Sequence, residues 1–324
     1  MSTTDNRRAA SLAAAVLLLA AGAAGAGGLS IAENTASGRY TVTDGGRPVL
    51  VYNFAAVPVP ASATGKYAVA RSDYVHPLYG PGGEVLTTDY SPDHPHHRGL
   101  YWAWPEVTWR GETRDLHALQ GVFARPVRMV RQEVADGRAV LEAENNWMWG
   151  DAEPIVNERA TILVALQKDG RRAIDFELRF TALVDGVTLA RRGRTHYGGF
   201  NCRLSARTDQ VILTHSDTNR APAEAWACLT GVPPLGKGPV SVALLQDPAN
   251  PGYPGDWVQY PNLNWLQPTF PTSGTAFALR RGQPLTLRFR VVVAAGAIND
   301  ATLRGFWSDY AADAPARRSF LASE

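Results

Sequence analysis

The chain has 324 residues, of which 45% are hydrophobic and 9% aromatic, with 30 Gly and 22 Pro. This composition excludes a disordered chain, a coiled coil and a small scaffold held by disulfides or metals, because the chain is long enough to bury its own core. A formal net charge of only +2 argues against nucleic acid as a partner.

The N-terminus has the pattern of an export signal. An arginine pair at positions 7 and 8 precedes an apolar run over residues 9–21, and an A-x-A cleavage site spans residues 24–26. The run is shorter than the roughly 20 residues that cross a bilayer, which disfavours the alternative of an N-terminal membrane anchor. We therefore predict a signal peptide over residues 1–26, by the general or the twin-arginine route, and a mature periplasmic or extracellular chain that does not contact the membrane.

Residues 27–324 have the pattern of an all-β domain. Apolar and polar residues alternate over residues 174–181 and 285–291, which predicts strands with one face in a core. Dipeptides that favour tight hairpin turns occur at Asp44-Gly45, Asp136-Gly137, Asp169-Gly170, Asp185-Gly186 and Arg281-Gly282. We predict a single domain over residues 27–324, folded as one large sandwich of two extended antiparallel sheets.

One helix is predicted near the C-terminus. It begins at Asn299 or Asp300, and its apolar residues at 303, 306, 307 and 310 have helical spacing. We expect this helix to pack on a sheet edge or over one end of the core.

Two cysteines, Cys202 and Cys228, are present. In an exported chain they can form a disulfide, but two buried free thiols fit the sequence equally well. Neither cysteine lies in a C-x-x-C motif, so the sequence does not support redox catalysis or a thiolate zinc site.

A histidine-rich segment carries the densest chemistry of the chain. Prolines at 92 and 95 and a glycine at 99 exclude a regular helix or central strand there, so the histidines are expected on a loop. Neutral imidazoles transfer protons or bind metals, and a guanidinium can hold a carboxylate or a sugar hydroxyl. The alternative is that the histidines only stabilise a complicated turn. The predicted catalytic residues are Asp93, His94, His96, His97, Arg98 and, from a second segment, His196.

Residues around these two segments, and one from a third, aromatic segment over residues 250–268, are predicted to bind the substrate. Aromatic faces suit stacking on sugar rings, although they also suit packing on the core. Glu158 is a candidate carboxylate, with a surface ion pair as the default expectation, and His117 and His215 stand alone in the sequence and are not assigned. The predicted substrate-binding residues are His76, Tyr101, Trp102, Trp104, Tyr197, Arg203 and Trp257.

These motifs resemble the PmoA-like family of exported bacterial proteins. The resemblance rests on residues 73–104 with their Asp-His-Pro-His-His-Arg-Gly-Leu motif, on Tyr-Gly-Gly-Phe at 197–200 and on Asn-Pro-Gly-Tyr-Pro at 250–254. The name of that family refers to a methane monooxygenase subunit and implies a metal-dependent oxidoreductase, with ligands among His94, His96 and His97.

The expected architecture is more distantly similar to the galactose mutarotase superfamily, whose members act on sugars. Those enzymes pair a histidine acid with a glutamate base late in the chain. Here no Glu occurs between Glu224 and Glu324, so an Asp or an earlier residue such as Glu158 would have to replace that base.

Three hypotheses for function follow. The first is an exported carbohydrate-active protein of sugar-binding, mutarotase-like, lyase-like or hydrolase-like type, with the histidine segment as its site. The second is a metal-dependent oxidoreductase that uses the same histidines, and the third is a sugar-binding protein without catalysis. All three expect a small molecule or carbohydrate as the partner, and only the second assigns a cofactor, a metal ion.

Overall fold

The structure is a computed structural model that describes residues 28–166, 170–219, 221–315 and 317. The predicted signal peptide lies outside these residues. Within the described part of the chain, no helix combines the length and the apolar character that crossing a membrane requires.

The described residues form 22 strands, one α-helix and two short 3₁₀ helices. The first eleven strands are β1 (Leu29–Asn34), β2 (Arg39–Asp44), β3 (Arg47–Asn53), β4 (Tyr74–Leu78), β5 (Asp89–Ser91), β6 (His94–Arg98), β7 (Leu100–Ala103), β8 (Glu106–Trp109), β9 (Glu112–Arg114), β10 (Val122–Ala135) and β11 (Arg138–Trp149). The remaining strands are β12 (Glu153–Leu166), β13 (Arg172–Ala182), β14 (Thr188–Ala190), β15 (Gly199–Arg203), β16 (Thr208–Asp217), β17 (Glu224–Val232), β18 (Val240–Gln246), β19 (Trp257–Tyr260), β20 (Trp265–Pro268), β21 (Ala276–Ala278) and β22 (Leu285–Ala295). The 3₁₀ helices span Arg192–Arg194 and Pro261–Leu263, and α1 spans Asp300–Ala312.

Two eight-stranded antiparallel sheets form the sandwich. Sheet A has the strand order β1-β2-β3-β4-β7-β15-β20-β19, and sheet B has the order β10-β11-β12-β13-β22-β18-β17-β16. A four-stranded sheet (β21-β14-β8-β9) and a β5–β6 hairpin complete the described strands. The predicted all-β sandwich with a C-terminal helix is therefore confirmed.

The main core lies between the two sheets. The predicted apolar positions at 174, 176, 178 and 180 of β13, and at 285, 287, 289 and 291 of β22, are all buried. Phe176 of sheet B contacts Trp102 and Phe200 of sheet A, with ring centroids 6.1 and 4.9 Å apart. Since burying one such large apolar side chain is worth roughly 1.5–3 kcal/mol, this alternation dictates which face of each strand turns inward.

The turn dipeptides indicated where the chain turns more accurately than they indicated which strands pair. The first three lie between strands that do pair, namely β2 with β3, β10 with β11 and β12 with β13, although residues 167–169 of the third lie outside the described residues. The hairpins predicted at 185–186 and 281–282 were wrong, because these segments lead from one sheet to another. A tight turn does form between Arg280 and Gln283, which bridge each other.

Helix α1 begins where the sequence predicted. The side chain of Asn299 accepts a hydrogen bond from the backbone N–H of Thr302 at 2.9 Å and caps the first turn. The four predicted apolar residues of the helix are buried, and they join a second core cluster with Trp226 and Leu245 of sheet B. The expected location was wrong: α1 covers the outer face of sheet B, where these strands carry a second set of apolar side chains.

The two cysteines are free thiols. Cys202 lies in sheet A and Cys228 in sheet B, and both are buried. Burial raises the pKa of Cys202 to about 12 and that of Cys228 to about 11. The structure therefore selects the free-thiol alternative.

Candidate functional site

The candidate site lies on the outer face of sheet A, where β7, β15 and β20 are neighbours. Trp102, Phe200 and Leu266 of these strands belong to the main core. Because successive side chains of a strand point to opposite faces, their sequence neighbours point outward. The register pairs these outward positions with one another across β7 and β15 and across β15 and β20. The outward residues are Tyr101, Asn201, Arg203, Trp265 and Gln267.

The β5–β6 hairpin carries the histidine-rich segment. The prediction of a loop was wrong, because residues 94–98 form strand β6, in which His94 pairs with Ser91. A proline at position 95 is tolerated because a two-stranded ribbon has free edges, where no N–H is required. His96 and His97 are only 9% and 2% exposed, so neither is the solvent-exposed residue that a loop position would give.

His117 reaches the same place from the segment between β9 and β10. Asp115 and Gln120 close this segment through two backbone hydrogen bonds of 3.1 and 2.7 Å. Arg71 also stabilises this segment, because its guanidinium donates to the carbonyl oxygens of Leu116 and His117 at 2.9 and 2.6 Å. These contacts fix the backbone at His117, which lies 20 positions after His97 in the sequence.

His96, His97 and His117 form a compact cluster, which we call the histidine triad. Each member offers a ring nitrogen, and these three nitrogens lie within 4.8 Å of one another. The ring centroids of His96 and His97 are 4.6 Å apart, and those of His117 lie 5.4 and 5.3 Å from them. The Nδ1 atoms of all three are buried without a hydrogen-bond partner among the described residues. Most buried polar atoms in proteins have a partner, so three such atoms in one place are unusual.

All three imidazoles are held in the neutral form. Burial, reinforced by the charge of Arg71, lowers the pKa of His96 to about 3. Burial and the neighbouring imidazoles lower the pKa of His97 far below its usual value, and burial does the same to the pKa of His117. Neutral imidazoles keep a free lone pair, so at pH near 7 the triad can accept a proton or bind a metal ion.

A pocket of about 370 Å³ opens above the triad. Its walls are mostly aromatic: the rings of Tyr260 and Trp265 stack with centroids 5.1 Å apart, and Trp265 packs on His97 at 4.9 Å. Arg192 lies at the wall and is paired with Asp115. The lining residues are Tyr67, His94, His96, His97, Ala118, Arg192, Tyr197, Tyr260, Leu263 and Trp265.

Several predicted site residues come together here. His94, His96, His97 and Tyr197 line the pocket. Tyr101 lies beneath them, with its hydroxyl oxygen 2.9 Å from Nε2 of His117.

Beside the pocket, two more predicted residues form an ion pair. Asp93 accepts hydrogen bonds from Arg203 at 2.8 and 3.1 Å, and its Oδ2 lies 3.2 Å from Nδ1 of His94. Burial opposes ionisation of Asp93, but hydrogen bonds from Ser91, His94 and Arg203 hold its pKa well below the usual value.

Three other predicted residues have structural positions instead. Arg98 is fully buried and stabilises the hairpin, since its guanidinium pairs with Asp89 at 3.1 Å and stacks on the ring of Tyr90. Trp102 and Trp104 lie in the main core, so the expectation that they stack on a substrate is corrected. Trp102 has the inward parity of β7, and Trp104 follows one residue after the end of that strand, whereas Tyr101 has the outward parity.

The remaining predicted residues lie away from the pocket. His196 is exposed, with its Nδ1 3.2 Å from the carbonyl oxygen of Arg192. His76 contacts Thr87 at 2.9 Å and borders a separate shallow groove. The indole of Trp257 donates to Ser216 at 2.9 Å. None of the three is among the residues that line the pocket.

Glu158 is a core residue, and the expected surface ion pair was wrong. It is fully buried in β12 and accepts hydrogen bonds from the indoles of Trp102 and Trp147, each at 2.5 Å. A hydrogen bond links it to Asp73, which also accepts one from Tyr52 at 2.7 Å. Burial and the charge of Asp73 raise the pKa of Glu158 well above its usual value. Its parity with Val156 and Ala160 was the signal that could have predicted an inward position.

Sequence reasoning missed His117 and the residues that orient it. His117 belongs to no motif, and only the chain path from β9 to β10 brings it to the other histidines. Asn201 and Gln267 carry no sequence signal of their own, although both lie within segments that attracted attention for their glycines and aromatics.

Comparison with known proteins gives one family match. A model described as a family of unknown function, DUF6807, matches residues 39–308, a range that contains the pocket and the triad. No curated protein matches the chain. The resemblances to the PmoA-like family and to galactose mutarotases therefore stay predictions.

Proposed function

This chain belongs to the DUF6807 family, and because that family has no assigned function, we propose from the site that the protein is carbohydrate-active and binds a sugar ring in the pocket. The observation that carries the proposal is the aromatic-walled cavity above three buried, neutral imidazoles. Its volume of about 370 Å³ falls within the range of small-molecule sites. The pattern of residues 1–26 supports export of the mature chain.

The walls offer what a sugar ring requires. A sugar has apolar C–H faces and a rim of hydroxyl groups, so its sites combine aromatic surfaces with a few hydrogen-bonding groups. Tyr67, Tyr260 and Trp265 supply the aromatic surfaces, and Tyr67 is 37% exposed at the pocket. Arg192 and His94 supply hydrogen-bonding groups on the same cavity. Arg192 takes the role that the sequence suggested for Arg98, which is buried.

His94 is the residue best placed for proton transfer. Its side chain is 38% exposed at the pocket, and the carboxylate of Asp93 lies 3.2 Å from its Nδ1. An ionised carboxylate behind an imidazole orients the ring and stabilises the imidazolium that forms during proton transfer. No carboxylate is among the described residues that line the pocket, so a glycosidase mechanism with two carboxylates is disfavoured. Histidine-mediated proton transfer, as in mutarotation or elimination, fits the site better.

The test is incubation of the mature protein with a panel of neutral sugars, uronates and glycosides, followed by NMR. We expect binding of at least one class, together with anomer exchange or elimination that a His94→Gln variant loses. Trp257→Ala serves as the control, because Trp257 is an aromatic residue of the same strand as Tyr260 but does not line the pocket. If no sugar binds and none reacts, the proposal is wrong.

The histidine triad favours a second candidate, a metal-dependent oxidoreductase. Three converging ring nitrogens are a ligand set for redox metals as well as for zinc. This candidate requires activity with iron or copper and none with zinc, and oxygen consumption that depends on the substrate. Turnover with zinc or without any metal would exclude it.

A further inference from the structure

The unpartnered Nδ1 atoms of the histidine triad are the feature that the sugar pocket does not explain. A structural histidine usually spends both ring nitrogens on hydrogen bonds, because a buried polar atom without a partner is costly. Here three such atoms belong to residues whose ligand nitrogens lie within 4.8 Å of one another. Packing alone gives no reason for three ring nitrogens without partners to be buried in one cluster.

The tautomer of His117 is fixed by a relay of hydrogen bonds that begins at the backbone. The N–H of Gly198 donates to Oε1 of Gln267 at 2.8 Å, and Nε2 of Gln267 donates to Oδ1 of Asn201 at 2.6 Å. Nδ2 of Asn201 donates in turn to the carbonyl of Gly199 at 2.8 Å. These bonds define Oδ1 of Asn201 as an acceptor, and it lies 3.2 Å from Nε2 of His117.

This relay assigns the ring proton of His117 to Nε2. Two oxygens face Nε2: Oδ1 of Asn201, which can only accept, and the hydroxyl oxygen of Tyr101 at 2.9 Å, which can donate or accept. The carboxamide oxygen favours the tautomer in which Nε2 carries the hydrogen, with the Tyr101 hydroxyl as a second acceptor. Nδ1, which is buried and has no hydrogen-bond partner among the described residues, is then left with its lone pair. A polar partner on the far nitrogen of a histidine is the usual arrangement around a bound metal, because it orients the ring and raises its basicity.

We propose that His96, His97 and His117 bind a divalent transition-metal ion of intermediate softness, for which Zn²⁺ is the probe. Imidazole nitrogens suit zinc, copper, iron and nickel, whereas calcium and magnesium require oxygen ligands. Three protein ligands leave a coordination position for water or substrate, as in catalytic zinc sites. His96 and His97 line the pocket, so an ion held by the triad is accessible from it.

The charged groups around the triad determine whether a cation is electrostatically favourable there. Arg71 lies under the ring of Tyr101, 4.8 Å from its centroid, and its charge opposes a cation. Arg98, Arg192 and Arg203 also act on the triad with positive charge. Each of these three arginines is paired with a carboxylate, namely Asp89, Asp115 and Asp93, which offsets their charges.

The experiment uses untagged mature protein, freed of metal with a chelator and dialysed against Zn²⁺ at neutral pH. We expect about one equivalent of zinc by elemental analysis, and replacement by Co²⁺ should give the visible spectrum of a nitrogen-coordinated site. In His96→Ala, zinc affinity should fall by more than the roughly 10- to 100-fold loss that removing an outer partner of a ligand causes. His94→Ala is the matched control, because His94 lies on the same hairpin and lines the same pocket outside the triad, and it should keep its zinc.

Two results would overturn the proposal: less than about a tenth of an equivalent of zinc in the wild-type protein, or equal zinc binding by wild type and His96→Ala. If His96→Ala does not fold, the wild-type stoichiometry and the Co²⁺ spectrum still decide. The metal proposal is independent of the sugar proposal. Zinc binding without any sugar response would support the triad assignment and reject the carbohydrate function. Sugar binding or turnover without zinc binding would support the carbohydrate function and reject the metal site.

Discussion

Two buried clusters of titratable groups lie on opposite faces of sheet A. The pair of Asp73 and Glu158 lies on the core side, and the histidine triad, with two members in β6, lies on the outer side. Both glutamate oxygens accept an indole N–H, and Asp73 accepts the hydroxyl of Tyr52. The three Nδ1 atoms of the triad have no such partners among the described residues.

The difference between the two clusters shows how buried titratable groups with a structural role can be distinguished from those with a functional one. Burial and perturbed pKa values are common to both clusters, so neither property identifies a site by itself. What differs is satisfaction of hydrogen bonds: the carboxyl pair is completed by neighbouring side chains, whereas the triad needs a ligand to complete it. Access differs as well, because only the triad adjoins an open pocket.

The largest expected effect is a loss of stability in acid that originates in the triad. The folded-state pKa values lie below the unfolded value of 6.5, so the unfolded chain takes up protons first. Stability should therefore fall as the pH decreases below about 6.5, by up to roughly 1.4 kcal/mol per pH unit for each imidazole. Urea unfolding at a series of pH values, with a chelator present, measures this slope.

The carboxyl pair should give the opposite dependence. The pKa of Glu158 is raised above its ordinary value of 4.5, so the folded state keeps a proton that the unfolded chain releases, and stability falls as the pH rises above that value. Below about 6.5 the lowered pKa values of the three imidazoles and of His76 outweigh this trend. Above it the raised pKa values of Glu158, Asp73 and Asp115 determine the slope. A stability maximum near pH 6.5 is the expected result. A steady rise in stability from pH 6.5 to 8.5 would contradict the assignment, and Glu158→Gln should flatten the alkaline side.

Glu158→Ala should cause the next largest loss. It leaves two buried indole N–H groups without an acceptor, at a cost of about 1–3 kcal/mol each, so we expect roughly 3 kcal/mol or more in the free energy of unfolding. Glu142→Ala is the control, because Glu142 forms a half-buried ion pair with Arg159 on the neighbouring strand, worth about 1 kcal/mol or less. Equal losses of unfolding free energy in the two variants would show that the hydrogen bonds accepted by Glu158 do not stabilise the core.

Zinc bound at the triad should stabilise the protein by a smaller amount than Glu158→Ala destabilises it. At free Zn²⁺ about 100 times its Kd, the free energy of unfolding should rise by about 2.7 kcal/mol. His96→Ala should lose this increment, while Glu158→Gln should keep it despite a lower starting stability. Stabilisation of the same size in His96→Ala would mean that the ion binds elsewhere.

The smallest expected effect concerns the pocket wall. Tyr260→Ala removes one aromatic face while leaving the triad intact, so sugar affinity should fall by roughly 3- to 10-fold, as expected for an aromatic contact worth about 1 kcal/mol. Zinc affinity should not change. Titration of the protein with the sugar, followed by NMR, measures the effect. An unchanged sugar affinity would show that the sugar ring does not contact Tyr260.

Local patterns in the sequence predicted most of the fold. The alternation over 174–181 and the capping residue Asn299 gave strands and a helix with the correct inward faces. The turn at 281–282 was recognised, but its strands belong to different sheets, because a dipeptide specifies backbone angles and not long-range pairing.

The site was only half predictable for the same reason. The clustering of His94, His96 and His97 is visible in the sequence, and it marks the pocket. His117 arrives by a chain path that no local pattern encodes, and strand parity decides that Tyr101 faces the triad while Trp102 faces the core.

The most direct test of the central claim is NMR of the histidine side-chain nitrogens in wild-type protein at pH near 7, before and after Zn²⁺ is added. Without metal, we predict that the three triad imidazoles are neutral and that His117 carries its proton on Nε2. Zn²⁺ should then shift Nδ1 of His117 and one nitrogen each of His96 and His97, and leave His196 unchanged. A proton on Nδ1 of His117, or triad signals that do not respond to Zn²⁺, would contradict the account.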